Sequence, residues 1–152
     1  MSNWGLFVGG VLLAGVAVAG WQAFQPRAAQ QGHSMEPPDT SGIAMGDPIK
    51  QVILPASLTP DGTIGKGIFE AKCAACHGQN AAGQNGVAPP LVLKIYEPGH
   101  HSDEAFQRAA QSGVVAHHWN FGNMPPVPGL TRGDVQYIAR YVRELQRANG
   151  IN

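Results

Sequence analysis

Hydrophobic positions along the chain form one long apolar run near the amino terminus and shorter periodic segments after residue 60. The run from Trp4 to Phe24 contains no charged residue. As a helix it would span about 30 Å, which matches the hydrocarbon core of a bilayer. Trp4 and Trp21 lie near its two ends, where aromatic rings prefer the headgroup level. We therefore predict a single N-terminal transmembrane helix within residues 1–24.

A cleaved signal peptide is the competing interpretation of this run. Ala17, Val18 and Ala19 have the small-x-small form of a signal-peptidase site. The residues before the run contain no Lys or Arg, however, and the apolar stretch continues past this site to Trp21. These features favour an uncleaved membrane anchor.

Residues 25–60 carry six prolines and show no helical periodicity. They hold too little apolar surface to build a core of their own. Within them, Ile49–Leu54 has the composition of one short extended strand. We predict that residues 25–60 form a Pro-rich flexible linker with a root-mean-square reach of roughly 33 Å.

The remaining residues, 61–152, show helical patterning. The first predicted helix runs from Thr63 to about Ala75. A second helix is expected to begin after Ser102 as its N-cap and to end at Gly113. No strand pattern of consequence occurs, so we predict an all-α domain of three or more short helices.

The last predicted helix has the clearest sequence signal. Thr131 and Asp134 have the spacing of a capping box, which marks a helix start. The apolar positions that follow lie at intervals of three, four and three residues and therefore share one helix face: Val135, Ile138, Val142 and Leu145.

Composition and charge narrow the classes of function. Ten Lys and Arg balance ten Asp and Glu, so the formal net charge is zero. A nucleic-acid partner requires a basic surface, and we expect none here. From Asp61 onward there are eight basic and seven acidic residues, so long-range steering of partners should be weak. The two cysteines lie within one short motif, which excludes a fold held together by disulfides.

The candidate chemistry is concentrated in Cys73-Ala-Ala-Cys76-His77. C-x-x-C-H is the attachment motif of c-type haem. Two thiols one helical turn apart reach the two vinyl groups of the macrocycle, and the following histidine becomes the proximal ligand of the iron. A thioredoxin-like pair would need a βαβ context, and a zinc site would usually need a second Cys/His pair at ligand spacing. We therefore predict one covalently attached haem c and its iron as the cofactor.

Met124 is the predicted sixth ligand of the iron. It lies in Gly122-Asn123-Met124-Pro125-Pro126, where the prolines restrict the backbone and help to hold a thioether against the metal. His117 or His118 is the alternative ligand. Met/His ligation raises the reduction potential of a haem relative to bis-histidine ligation.

Taken in order, these motifs resemble those of the class I cytochromes c, which carry one haem with His and Met ligands. Gly65 and Phe69 stand eight and four residues before Cys73, where that family keeps a small residue and an aromatic on its first helix. Ala88-Pro89-Pro90-Leu91 is similar to the family's Gly-Pro-x-Leu segment, with Ala in place of Gly. Met124-Pro125 is similar to its distal-ligand motif.

The resemblance covers Gly62–Ala148 and leaves the predicted anchor and linker outside it. It implies that the Pro89 carbonyl orients the ring of His77 through its N–H and that Leu91 packs on the haem. It also implies that Tyr141 packs against the first helix near Gly65 and Phe69. The predicted cofactor site therefore comprises Cys73, Cys76, His77, Pro89, Leu91 and Met124, with His77 and Met124 as the metal ligands.

With both axial positions of the iron filled, no coordination position remains for a substrate. The expected function is that of a membrane-tethered electron carrier, not an enzyme, shuttling single electrons between membrane respiratory or photosynthetic complexes. The resemblance implies a quinol-oxidising cytochrome bc complex as donor and a haem-copper terminal oxidase as acceptor, without naming either uniquely. A permanent haem c subunit of a larger membrane oxidoreductase and a haem-based ligand sensor are the alternatives.

Covalent haem attachment takes place outside the bacterial cytoplasm. We therefore expect a single-pass protein of the bacterial inner membrane whose haem domain faces the periplasm. Two histidine pairs, His100-His101 and His117-His118, have no assigned role. Metal binding, proton gating, contacts with haem propionates and simple surface positions are the open interpretations.

Overall fold

The computed structural model describes residues 36–152. The predicted membrane anchor and the first part of the predicted linker lie outside the described residues. Within residues 36–152 no strand forms, which confirms the all-α prediction there, and no helix is long and apolar enough to cross a membrane. The four α-helices are α1 Pro60–Lys72, α2 Ala74–His77, α3 Asp103–Ser112 and α4 Arg132–Ala148, with short 3-10 turns at Gln79–Ala81 and Lys94–Tyr96.

Helix α4 forms as its sequence predicts. The Thr131 hydroxyl accepts a hydrogen bond from the Asp134 amide at 3.2 Å, and the Asp134 carboxylate accepts one from the Thr131 amide at 2.8 Å. The capping box is therefore confirmed. The predicted apolar face is also confirmed, because Val135, Ile138, Val142 and Leu145 are all buried.

Helix α1 begins and ends earlier than the predicted Thr63 to Ala75. The Thr59 hydroxyl accepts a hydrogen bond from the Gly62 amide at 3.0 Å, and Pro60 occupies the first turn, where no amide donor is needed. Cys73 leaves the helical conformation with φ −120° and ψ −33°. The haem motif therefore begins a separate helical turn, α2, instead of extending α1.

The core forms where α1 crosses α4. The rings of Phe69 and Tyr141 lie 5.6 Å apart between their centroids, which confirms the implied packing of Tyr141 on the first helix. A Cβ at Gly65 would lie 1.9 Å from the Tyr137 carbonyl oxygen, so the two backbones meet closely at this point. The buried cluster is completed by Ala81, Val92, Ile138, Val142, Leu145 and Ile151.

Helix α3 lies between the predicted markers. Ser102 occupies the N-cap position and Gly113 the C-cap position, although the Ser102 side chain makes no capping hydrogen bond. Two ion pairs attach the first turn of this helix to α4. Arg143 Nε donates to the Asp103 carboxylate at 2.9 Å, and Arg132 Nη2 lies 2.9 Å from the Glu104 carboxylate.

The prediction of a flexible linker up to residue 60 is wrong for its second half. The Lys50 amide donates to the Ala82 carbonyl at 3.0 Å. The Asn149 side chain bonds the amide and the carbonyl of Ile53 at 3.0 and 2.8 Å, and Val52 packs against the core. The predicted strand Ile49–Leu54 does not form either, because these backbone groups meet one loop and one side chain instead of a neighbouring strand.

Candidate haem site

Cys73, Cys76 and His77 lie on a single helical turn. The Cys73 carbonyl accepts hydrogen bonds from the amides of Cys76 at 3.1 Å and of His77 at 2.9 Å. The Cys73 side chain is half-buried and that of Cys76 is exposed. Burial, with a smaller contribution from Cys76, raises the pKa of the Cys73 thiol to about 11. One turn of backbone thus carries the two thiols and the imidazole that haem attachment needs.

The His77 ring is 9% exposed, and a hydrogen bond sets its orientation. Its Nδ1 lies 2.9 Å from the Pro89 carbonyl oxygen. Because a carbonyl oxygen can only accept, Nδ1 carries the proton and Nε2 keeps its lone pair. Burial lowers the pKa of His77, against the opposing effect of the bond to Pro89. Burial therefore favours the neutral form that a metal ion requires, and the hydrogen bond to Pro89, which the resemblance implied, sets the tautomer and the orientation of the ring.

The loop that carries Pro89 passes close to the haem motif. Gly83 has φ +73°, and a Cβ there would lie 2.4 Å from the backbone nitrogen of Pro90. Only glycine fits this conformation and this approach without displacement. The Gly83 amide donates to the His77 carbonyl at 2.7 Å. Leu91, at the end of the same loop, is half-buried and packs against the core cluster.

Met124 lies in the loop between α3 and α4, and its backbone is held on both sides. It forms an antiparallel bridge with Val114, whose two N–H···O distances are 2.9 and 3.0 Å. Further along, the Val127 amide donates to the Ala110 carbonyl of α3 at 2.8 Å. The Met124 side chain is half-buried. The residue therefore has a fixed backbone position in a loop that is otherwise without regular structure.

Trp119 precedes Met124 in this loop and has an unusual environment. Its side chain is buried, yet its Nε1 has no hydrogen-bond partner among the described residues. Burial raises the pKa of Tyr96 to about 12, and the nearby Trp119 partly offsets this rise. A buried N–H without a partner is costly. The indole N–H lies on the side of the Tyr96 hydroxyl, whose pKa it lowers, and it can donate to a polar group of a bound cofactor.

The structure does not keep the four histidines in their two sequence pairs, His100-His101 and His117-His118. His101, His117 and His118 come together, with one ring nitrogen of each within 4.8 Å of the others. His100 instead faces Glu97, with 3.8 Å between Nε2 and Oε1. His117 and His118, the alternative iron ligands, thus share a cluster with a residue from another loop.

Sequence reasoning missed Arg143, a buried cation of α4 that hydrogen-bonds to the backbone of Tyr96 and of His101. Its Nη1 donates to the Tyr96 carbonyl at 2.7 Å, its Nη2 donates to the His101 carbonyl, and its guanidinium lies 5.1 Å from the centre of the Phe106 ring. The only available signal was its place next to Val142 on an amphipathic helix. That position does not reveal which distant carbonyls it meets.

A helical domain in which one turn carries two thiols and a carbonyl-oriented histidine defines a haem-attaching protein of the c type. The chain matches the family model described as Cytochrome c over residues 63–146, just over half of its length. It therefore belongs to the cytochrome c family. No curated protein and no solved structure matches it.

Membership of this family means that the domain binds haem c covalently, with its iron, and that it serves haem-based electron transfer. The residues present fit this cofactor. The two thiols lie on one turn, His77 keeps a lone pair on Nε2, and the indole N–H of Trp119 lies buried without a partner among the described residues. Haem carries carboxylates that can accept such a hydrogen bond.

Proposed function

We propose that this chain is a membrane-tethered single-electron carrier of the class I type, with His77 and Met124 as the axial ligands of its haem. Haem, when bound, supplies a one-electron iron couple. The polypeptide supplies two thiols for attachment, an oriented imidazole and a thioether. It is a carrier and not an enzyme in this proposal, because His77 and Met124 would both ligate the iron and would leave no position for a substrate.

The fixed ring of His77 is the observation that carries the proposal. The hydrogen bond to the Pro89 carbonyl, 2.9 Å long, keeps the tautomer and the ring orientation constant. Such bonds also raise the basicity of a ligating histidine. In the loop between α3 and α4, the bridge to Val114 holds the Met124 backbone. Ligands on fixed supports change little between oxidation states, which favours electron transfer over ligand exchange.

Met124, His117 and His118 all lie in the loop between α3 and α4, and the contacts within this loop favour Met124 as the iron ligand. His117 Nδ1 lies 2.9 Å from the Val115 carbonyl, and the rings of His117 and His118 lie 4.3 Å apart. Both histidines are engaged with each other and with His101. Met124 lies beyond them, next to the bridge, and is half-buried. A soft thioether is also the ligand that raises a haem potential.

Tethering and partners complete the proposal. The run Trp4–Phe24 would anchor the domain to the bacterial inner membrane with the haem domain on the periplasmic side. A tether raises the effective concentration near membrane partners and makes charge steering less important. In this proposal the donor is a quinol-oxidising cytochrome bc complex and the acceptor a haem-copper terminal oxidase.

The ligand assignment is tested by absorption spectroscopy and redox titration of the holoprotein. In Met124→Ala, the covalently held haem should lose the absorption band of methionine bound to ferric iron and show a lower midpoint potential. Met45→Leu is the matched control, because the Met45 side chain is 75% exposed. It should keep both properties. A band that survives in Met124→Ala would disprove the assignment.

The carrier role is tested by purification from solubilised membranes. Before detergent is added, a mobile carrier should sediment with the membranes. Once the membranes are solubilised, it should separate from its partners. Co-purification with another complex in fixed stoichiometry would instead identify a permanent subunit. Loss of membrane attachment when residues 1–24 are removed is the second expected result.

A further inference from the structure

Three histidine rings from two separate parts of the chain meet at one place. His101 ends the turn before α3, whereas His117 and His118 belong to the loop after it. One ring nitrogen of each lies within 4.8 Å of the others. The ring centroid of His101 lies 6.5 Å from that of His117 and 5.9 Å from that of His118. This cluster of three, His101, His117 and His118, is called the histidine cluster below.

The tautomers of two of these rings are set by backbone carbonyls. His101 Nδ1 lies 2.7 Å from the Ile95 carbonyl oxygen, and His117 Nδ1 lies 2.9 Å from that of Val115. Since the carbonyls can only accept, the neutral form of each ring carries its proton on Nδ1 and presents a lone pair on Nε2. Metal-ligating histidines almost always donate their other N–H to a carbonyl, a carboxylate or water. Two rings of the cluster already have this arrangement.

The support beneath His101 is rigid. Its amide donates to the Glu97 carbonyl at 2.8 Å, and its own carbonyl accepts from the buried guanidinium of Arg143. Its ring packs 5.0 Å from the ring of Tyr96. The main chain and the side chain of His101 are therefore both fixed, as a ligand of a preorganised site must be.

The loop that carries the other two rings is fixed near its base. The Ala116 amide donates to the Asn123 side chain at 2.9 Å, next to the bridge between Val114 and Met124. His117 is exposed, and His118 is half-buried like His101. A metal ion can therefore reach the cluster from solvent without opening the core.

We propose that the histidine cluster is a second metal site, separate from the haem, which binds a borderline divalent ion of the Zn²⁺ type. Zinc bonds imidazole nitrogen at about 2.0–2.1 Å, so tetrahedral ligands lie about 3.3 Å apart. Nitrogens within 4.8 Å reach that spacing by small side-chain rotations. Three neutral imidazoles leave a fourth position for water, as in open zinc sites. Imidazole nitrogens select ions of this class over Mg²⁺ or Ca²⁺.

Binding of Zn²⁺ would join the turn that ends at His101 to the loop that carries Met124. The ion would therefore cross-link two segments that lie on either side of α3 in the sequence. Stabilisation of the native state follows by mass action, since the unfolded chain does not hold the three rings together.

The test is a calorimetric titration of the full-length holoprotein in detergent with ZnCl₂. We expect one equivalent of Zn²⁺ to bind and the Tm to rise. The variants His101→Gln and His117→Gln should bind Zn²⁺ at least about tenfold more weakly. His100→Gln is the matched control, because His100 faces Glu97 and not the cluster. It should bind as the native chain does. Zinc-edge X-ray absorption should show imidazole scattering at the bound ion.

The haem spectrum separates the possible failures. If His117 or His118 ligates the iron, His117→Gln or His118→Gln will change the haem spectrum, and the proposed function fails together with the metal site. If the spectra of the variants are unchanged but the holoprotein takes up no Zn²⁺, only the metal site is disproved. Equal Zn²⁺ affinity in the native chain and in His117→Gln, an exposed variant that should fold, would also overturn it.

Discussion

Tyr141 is a single residue that connects α4 to the segment directly after the haem motif. Its side chain is 1% exposed, and its hydroxyl donates to the Asn80 side chain at 3.1 Å. Asn80 itself has φ +53°, a left-handed conformation that asparagine tolerates better than most residues. The tyrosine therefore connects α4 to the residue three positions after His77.

Replacing Tyr141 by Phe is expected to destabilise the protein at neutral pH and to have a smaller effect as the pH rises above 10. At neutral pH the lost hydrogen bond should lower the free energy of unfolding by about 0.5–1.5 kcal/mol. Burial, followed by the charge of Glu70, raises the pKa of Tyr141 from 10.0 to about 12. The unfolded chain then releases this proton first, so native stability falls as the pH rises from 10 to 12. The Phe variant should lack this part of the fall.

Denaturant unfolding of the holoprotein at several pH values measures both effects. The native chain and Tyr141→Phe should converge in stability as the pH rises above 10. Tyr96 remains in both proteins and contributes equally, since burial also raises its pKa to about 12. A constant difference between the two proteins from pH 7 to pH 12 would contradict the assigned cause.

At the scale of elements, the crossing of α1 and α4 depends on a missing side chain. A Cβ at Gly65 would lie 1.9 Å from the Tyr137 carbonyl oxygen and 3.0 Å from the Tyr141 Cβ. The first of these atoms belongs to the backbone and cannot turn away. The closeness of the two helices, and with it the tilted contact between the rings of Phe69 and Tyr141, requires glycine at this position.

Gly65→Ala should lower the free energy of unfolding by about 1–3 kcal/mol, because the helices must separate to admit the methyl group. Gly67→Ala is the matched control in the same helix, since a Cβ there meets nothing within 4 Å. It should be neutral or stabilising by up to about 1 kcal/mol through helix propensity. Thermal unfolding of the two holoproteins provides the measurement. Equal losses in both variants would show that helix propensity, not the crossing, determines the effect.

At the scale of the whole molecule, local signals were predictable and distant partners were not. The capping box of Thr131 and Asp134 and the buried face of α4 were predicted correctly, because both are set within one helix. The attachment of residues 43–53 was not predicted. Part of this attachment depends on Asn149, which hydrogen-bonds to Ile53 although the two residues lie 96 positions apart. The sequence pattern of a Pro-rich segment does not reveal such a distant partner.

The candidate site shows the same division. The motif at residues 73–77 predicted which groups share a turn, and the resemblance implied the hydrogen bond from His77 to Pro89. The sequence also showed two pairs of histidines but not which of the four would meet. In the turn before α3, the side chain of His100 faces Glu97, whereas that of His101 faces His117 and His118. This difference depends on the tertiary structure and cannot be seen in the sequence. Arg143, which fixes that turn, gave no distinct signal for the same reason.

Charge is also distributed so that the molecule has little long-range field. The domain from Asp61 onward contains eight basic and seven acidic residues. Several of them neutralise one another directly, including Arg132 with Glu104 at 2.9 Å, Arg143 with Asp103 at 2.9 Å and Arg140 with Asp61 at 3.3 Å. Opposite charges at such distances appear as dipoles to an approaching partner.

Electron exchange with small redox reagents should therefore depend little on their charge or on salt. We expect stopped-flow rate constants for an anionic and a cationic reagent of similar driving force to change only slightly between low and physiological ionic strength. A carrier with a charged patch around its haem would instead show changes of about tenfold or more, opposite in sign for the two reagents. Lys72→Glu, which alters one exposed charge beside Cys73, should shift both rates measurably in opposite directions if the electron leaves near the haem motif. A steep salt dependence in the native chain would mean that a local concentration of charge, not the proposed membrane anchor, brings the partners together.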